Sequence, residues 1–351
     1  SIWLDNISRG LIRSGGLEDL VRQGVLGVTS NPTIFEKAIS GSDDYDAQIA
    51  ELVRAEKTPP EIFEALAVQD IQQAADIFRP VYDRLNGVDG YVSLEVSPRL
   101  AHDTAGTIEE AERLYAALGR PNVFIKIPAT EAGLPAIATC IGRGINVNVT
   151  LLFDVDRYEA VANAYIDGLE MLASSGKPLD RVASVASFFV SRVDTVVDSQ
   201  LPDQHAELRG KAAIANAKVA YERFQRIFGS ERFARLRAKG ARPQRVLWAS
   251  TSTKNPAYKD TMYVDPLIGP ETVNTVPPQT LEAIQDHAEV RQTITEDMAE
   301  AHKTLAVLAE AGIDLKAVAT QLEKEGVASF AKSYDHLLRS IEQKAGVLAG
   351  K

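Results

Sequence analysis

Cysteine is almost absent: Cys140 is the only one in 351 residues, so no intrachain disulfide can form and no cysteine-based zinc spacing can be written. A reducing, cytoplasmic compartment is the expectation. Histidine is sparse, and His102, His205, His287, His302 and His336 fall in no HExxH spacing, so no metal centre is expected. Long apolar runs are missing. Segments such as 147–153 fall well short of the roughly 18 residues a membrane span needs, and no basic-then-apolar stretch opens the sequence. Neither GxGxxG nor GxxxxGK(S/T) follows a strand-like segment, and Gly142-Arg143-Gly144 is too little to stand for a phosphate loop. Positive charge is in the minority, with 38 basic against 48 acidic residues and a net charge of −10. That balance argues against nucleic acid or an anionic membrane as the main partner. An anionic substrate would need cations gathered locally.

What is present is an ordinary mixture for a folded protein, 45% hydrophobic and 25% charged. Strand-like segments recur at 2–5, 25–29, 90–96, 123–127, 145–151, 181–189, 245–250 and 272–276. Amphipathic helices are predicted between them, for example over 107–118, over 156–174 and as a long helix within 206–239, and the chain reads as helix from Pro278 to the end. This alternation predicts a (β/α)₈ TIM barrel of the α/β class with additional helices, notably at the C-terminus; a doubly wound open sheet is the alternative. No Ser/Gly/Pro-rich linker divides the sequence, so one domain over 1–351 is expected.

The segment Asn146-Val147-Asn148-Val149-Thr150 alternates polar and apolar at the strand period. Parallel strands are normally buried on both faces and read as continuous apolar runs. A polar face on such a strand therefore points to a barrel lumen with a functional upper layer.

Lys126 stands in Val123-Phe124-Ile125-Lys126-Ile127-Pro128, a strand apolar on both sides of the lysine. The ordinary reading is a lysine reaching out into solvent. The chemical reading is a desolvated amine, because burial lowers an ammonium pKa from ~10.4 toward neutrality and frees the lone pair that attacks a carbonyl. Asp5 and Glu95 each close an apolar strand with a carboxylate. In a parallel barrel those ends share one rim with Lys126 and the hydroxyl of Thr150, a set able to bind and to move protons. The plain alternative for either carboxylate is a helix cap or turn residue. Thr29-Ser30-Asn31-Pro32-Thr33 reads as a turn by its Asn-Pro pair. Ser187 and Arg192 are expected to follow the sixth strand and open a helix, where hydroxyls, free N–H groups and a guanidinium suit a phosphate. Lys254, beyond Ser250 in Ala249-Ser250-Thr251-Ser252-Thr253, repeats that chemistry after the seventh strand. Each of these cations could equally be a solvated surface charge. With no metal in view, a carbonyl must be activated covalently or by hydrogen bonds alone.

Taken in order, Trp3-Leu4-Asp5, Val28-Thr29-Ser30-Asn31-Pro32-Thr33, Ser93-Leu94-Glu95-Val96, Phe124-Ile125-Lys126-Ile127-Pro128-Ala129-Thr130, Asn148-Val149-Thr150-Leu151-Leu152-Phe153 and Leu247-Trp248-Ala249-Ser250-Thr251 resemble the motifs of transaldolases of the longer bacterial type. The match runs across essentially the whole chain. The resemblance implies transfer of a dihydroxyacetone unit between sugar phosphates of the non-oxidative pentose phosphate pathway, with no cofactor. It implies that Lys126 forms a Schiff base with the ketose and that Asp5 takes the proton of the carbon-4 hydroxyl. Glu95 and Thr150 resemble the pair that handles protons through a water. Asn31, Asn148 and Ser187 resemble the contacts to the dihydroxyacetone hydroxyls, and Ser250 and Arg192 those to the phosphate, with Thr29 and Phe189 beside them. One departure is that the loop after the seventh strand is longer and carries Lys254 where many transaldolases have an arginine, so the charge is kept without the bidentate fork. The aldolase branch of the same superfamily resembles this pattern but carries glutamine in place of Glu95 and tyrosine in place of Phe189. The implied partners are small sugar phosphates, with no nucleic acid and no membrane, and a homodimer is compatible with the resemblance.

Overall fold

A computed structural model describes residues 1–350. Its strands are β1 (Ile2–Asp5), β2 (Gly27–Thr29), β3 (Tyr91–Glu95), β4 (Val123–Pro128), β5 (Val147–Leu152), β6 (Ser184–Phe189), β7 (Arg245–Ala249) and β8 (Thr272–Val276). Neighbours pair in parallel in chain order, and β8 returns to β1, so the sheet closes into an eight-stranded barrel. Closure removes the open doubly wound alternative. Every expected strand is present, but several begin later than the apolar pattern suggests. Val25, Ile145 and Val182 are buried outside the ladders, because packing beneath the barrel hides an apolar side chain as well as strand pairing does.

The helices are α1 (Arg9–Arg13), α2 (Gly16–Arg22), α3 (Pro32–Ser40), α4 (Asp46–Arg54), α5 (Pro59–Arg84), α6 (Thr104–Leu118), α7 (Gly133–Gly142), α8 (Val155–Ser174), α9 (Ser191–Gln200), α10 (Ala212–Phe228), α11 (Glu231–Arg237), α12 (Pro278–His287), α13 (Met298–Glu310) and α14 (Leu315–Ala349). Two expectations are corrected here. The stretch within 206–239 is two helices, since Ser230 caps α11 by accepting from the Phe233 N–H. From Pro278 onward the chain is three helices rather than one. Gly312 (φ +91°) ends the turn after α13, and Asp314 caps α14 through the Ala317 N–H. No helix among the described residues is long and apolar enough to cross a membrane.

Strand alternation decides what fills the barrel. At the lower end Trp3, Tyr91 and Phe124 meet, with the Tyr91 and Phe124 rings stacked at 4.3 Å between centroids. Two residues further along the same strands stand Asp5, Ser93 and Lys126, so an aromatic floor gives way to polar side chains toward the C-terminal ends. The helix α14 packs against α3, α5, α9 and β5. Its approach to β5 requires a small residue: a Cβ on Gly326 would stand 2.8 Å from Cδ2 of Leu151. Leu151 itself has φ +61°, at the register shift between β5 and β6, an uncommon conformation for a bulky side chain.

Candidate active site

Asp5, Thr29, Asn31, Lys126, Ser187 and Phe189 line a cavity of about 200 Å³ at the C-terminal mouth of the barrel, and Arg192, Ser250 and Lys254 line it from the helix and loop beyond. A larger cleft of about 720 Å³ lies outside the lumen among α5, α6 and Tyr334 of α14 and meets the site only near Ser30, Asn31 and Glu95. The smaller one gathers Asp5, Lys126, Arg192 and Lys254, as a site for a small polar ligand would, whereas Glu95 lines only the larger cleft and Thr150 lines neither.

Lys126 is held on β4 with 5% of its surface exposed. Its Nζ donates to the Ser30 carbonyl at 3.1 Å. Asp5, at the end of β1, accepts from the Thr29 hydroxyl at 2.8 Å, and the Thr29 oxygen lies 2.5 Å from that of Thr275. Burial raises the Asp5 carboxyl above its ordinary value, against the pull of Lys126, the Thr29 hydroxyl and Arg192. Glu95 pairs with Lys126 across β3 and β4. Burial pushes its carboxyl up to about 7, opposed by Lys126 and reinforced by Asp5. Its Oε2 and the Thr150 hydroxyl are both buried with no hydrogen-bond partner among the described residues, and each remains free to bond a substrate or a water. Thr150 lies on β5 opposite Pro128, so the two groups flank Lys126 from neighbouring strands.

Several expected contacts have a different local origin. The turn at Asn31 is a helix start: its Oδ1 accepts from the Ile34 N–H at 2.9 Å and Pro32 takes the first position of α3. The Asn31 amide N–H groups are left as donors beside the cavity. Ser187 lies within β6 rather than after it, while Arg192 opens α9 as expected. Asn148 does not line the cavity. Its amide is fixed by two serines beneath the upper layer, donating to Ser93 Oγ at 3.1 Å and accepting from Ser187 Oγ at 2.7 Å.

The cationic end of the cavity is built by α9 and the loop after β7. The Arg192 guanidinium lies 5.1 Å above the Phe189 ring, half-buried. Burial lowers its pKa, against the influence of Asp5 and Glu325. Lys254, exposed at the rim, is likewise lowered, by partial desolvation and then by the nearby charge of Arg192. Two cations near each other at one end of a cavity suit an anionic ligand. Ser250 (φ +53°) brings its hydroxyl within 2.9 Å of Ser191 Oγ, at the first turn of α9. Ser252, Thr275, Gln279 and Phe330 also line the cavity. Thr275 breaks the polar–apolar alternation of Thr272-Val273-Asn274 on β8, so the strand period does not mark it, and nothing local marks Phe330, which α14 brings from the far end of the chain.

Residues 2–341 match the family described as transaldolase/fructose-6-phosphate aldolase. A transaldolase of Parafrankia sp. (strain EAN1pec) is 52% identical over 99% of this chain and 96% of its own length. One of Saccharopolyspora erythraea is 51% identical over 98% of this chain and 94% of its own length, and one of Trichodesmium erythraeum is 48% identical over the same shares. The chain belongs to the transaldolase/fructose-6-phosphate aldolase family.

Within a transaldolase-family barrel, a lumen carboxyl that titrates near neutrality has a measurable consequence for stability. A group raised in the fold above its unfolded value contributes stability below the unfolded value and loses it as pH rises through the folded one. For Glu95 that window runs from 4.5 to about 7, and the loss across it is about 3 kcal/mol at most. Glu95→Gln stays neutral throughout, so its Tm relative to the parent chain should rise between about pH 5 and about pH 8. A difference independent of pH over that range would show that Glu95 does not titrate in a desolvated site.

Proposed function

We propose that this chain is a transaldolase that carries a dihydroxyacetone unit on Lys126 between ketose phosphates (sedoheptulose 7-phosphate, fructose 6-phosphate) and aldose phosphates (erythrose 4-phosphate, glyceraldehyde 3-phosphate). The observation that carries the reading is a lysine with 5% exposure beside two carboxyls that burial holds above their ordinary values.

The Lys126 amine adds to carbon 2 of the ketose, and the resulting carbinolamine loses water to give a protonated imine. Glu95, whose carboxyl burial raises toward neutrality, supplies the proton that leaves with the hydroxyl and takes one back in the reverse step, with Thr150 orienting the water. Asp5 then removes the proton from the carbon-4 hydroxyl. The C3–C4 bond breaks, its electron pair moves into the imine to form an enamine, and carbon 4 leaves as the aldehyde of the aldose phosphate. The acceptor aldehyde reverses these steps: the enamine carbon attacks it, and Asp5 returns its proton to the new hydroxyl. Asn31, Ser187 and Thr29 hold the ketose hydroxyls, with Asn148 orienting Ser187. Arg192, Ser250 and Lys254 take the phosphate, and Phe189 forms an apolar wall beneath the Arg192 guanidinium.

A homodimer is compatible with the same reading. A cytoplasmic location, where the buried Cys140 stays a thiol, belongs to the same reading. The test is borohydride reduction with fructose 6-phosphate, followed by peptide mass spectrometry. A reduced three-carbon or six-carbon adduct on Lys126 is expected, because an imine is reducible and a hydrogen-bonded complex is not. An adduct on a different lysine would overturn the assignment.

A further inference from the structure

The loop 250–264 carries Lys254 to the cavity yet contains no helix or strand. Its internal bonds are isolated turns, such as Tyr258 N–H to Asn255 O at 3.0 Å and Met262 N–H to Lys259 O at 3.0 Å. Side chains hold its two ends, the Thr251 hydroxyl donating to Asn274 Oδ1 at 2.8 Å and the Asn274 amide to the Tyr263 carbonyl at 3.1 Å, and between them Lys259 pairs with Asp265 at 3.0 Å and Glu289 at 3.1 Å. Two tyrosines tie it to α9. The Tyr263 hydroxyl donates to Asp194 Oδ2 and the Tyr258 hydroxyl to Asp198 Oδ2, each at 2.6 Å. The two aspartates are four residues apart and share one face of α9. Each carboxylate is also fixed from behind by a backbone N–H, Ala213 to Asp194 Oδ1 at 2.8 Å and Gly210 to Asp198 Oδ1 at 2.9 Å. Gly210 (φ +74°) is needed in this arrangement, since a Cβ there would stand 3.0 Å from the Tyr258 oxygen.

Between loop and helix is a second space of about 260 Å³, bordered by Asp194, Asp198, Tyr258, Tyr263 and Lys254 itself. Lys254 thus borders both this acidic space and the cavity that holds Arg192. An ammonium on a flexible stem goes to the stronger acceptor within reach. The Tyr258 hydroxyl and the Gly210 N–H each take one oxygen of Asp198, which holds the carboxylate and the loop in one arrangement.

We infer that Tyr258 is a positioning residue for substrate phosphate. By binding Asp198 it fixes the loop that carries Lys254, so that the ammonium stays opposite Arg192 and the site prefers phosphorylated sugars. Tyr263, buried near the far end of the loop, anchors the same segment. The inference deepens the proposed function and rests on its phosphate-binding reading of Arg192 and Lys254.

Tyr258→Phe removes one oxygen and tests it. The KM for fructose 6-phosphate should rise about tenfold, with kcat nearly unchanged and kcat/KM for unphosphorylated fructose unaltered. In a Lys254→Ala background the same substitution should add almost nothing, because the tyrosine acts through that lysine. Equal losses on both sugars, full additivity with Lys254→Ala, or no change in KM would each overturn the inference. Arg192→Ala is the control for the underlying reading. If Arg192→Ala discriminates between the two sugars and Tyr258→Phe does not, only the positioning role fails. If neither discriminates, the phosphate site is elsewhere and both readings fail.

Discussion

Lys126→Ala is expected to lose at least about four orders of magnitude in kcat, because the variant has no amine with which to form the covalent intermediate. The fold should survive. The side chain is buried, and its one hydrogen bond runs to the Ser30 carbonyl, so truncation removes a desolvated polar group rather than a packing element. Far-UV circular dichroism and a urea transition close to that of the parent chain would separate loss of chemistry from loss of structure. Turnover of Lys126→Ala within about tenfold of the parent would rule out a Schiff base at this position. Loss of the cooperative transition would instead show that Lys126 has a structural role that its single hydrogen bond does not predict.

The second large effect separates transfer from release. In the proposed mechanism the enamine on Lys126 either attacks an acceptor aldehyde after cleavage or is protonated and hydrolysed to free dihydroxyacetone. Hydrolysis needs a proton donor near the enamine carbon and an activated water at the imine. Phe189 fills its side of the cavity with a ring packed 5.1 Å from Phe153 and capped by Arg192, and it offers no hydroxyl to organise a water. Fructose 6-phosphate alone should therefore yield little glyceraldehyde 3-phosphate beyond about one equivalent per site, and erythrose 4-phosphate should start steady turnover. Phe189→Tyr, alone or with Glu95→Gln, should raise the acceptor-independent release of dihydroxyacetone. Fast acceptor-independent turnover by the parent chain would make it an aldolase, the other chemistry named in its family's description.

The barrel was legible because strands and helices leave different periods in sequence, and each of the eight strand-like segments overlaps a strand of the closed sheet. Their ends were less so, since burial beneath the barrel and burial within a ladder select the same apolar residues, as Val25 and Val182 illustrate. The long run after Pro278 shows the complementary limit. The break at 288–297 holds no glycine or proline, only the β-branched Val290, Thr293, Ile294 and Thr295, and the break at 311–314 is marked only by Gly312 and the cap at Asp314, so both are easily passed over.

For the site, the sequence by itself named the groups proposed to react. A lysine flanked by apolar residues and carboxylates at strand ends are local features, and parallel closure sends every strand end to one rim. Only the tertiary structure decided how those groups are used. It turned Asn148 toward Ser93 and Ser187, left Thr150 and one Glu95 oxygen without protein partners, and raised two carboxyls by withdrawing them from water. It also brought Phe330 of α14 to the wall and tied Tyr258 to Asp198 across 60 positions of chain. The physical reason is one of range. Strand period and residue type are properties of neighbours along the chain, whereas desolvation and long-range hydrogen bonds depend on which distant segments share a volume, and that is fixed only when the barrel closes and α14 packs against it.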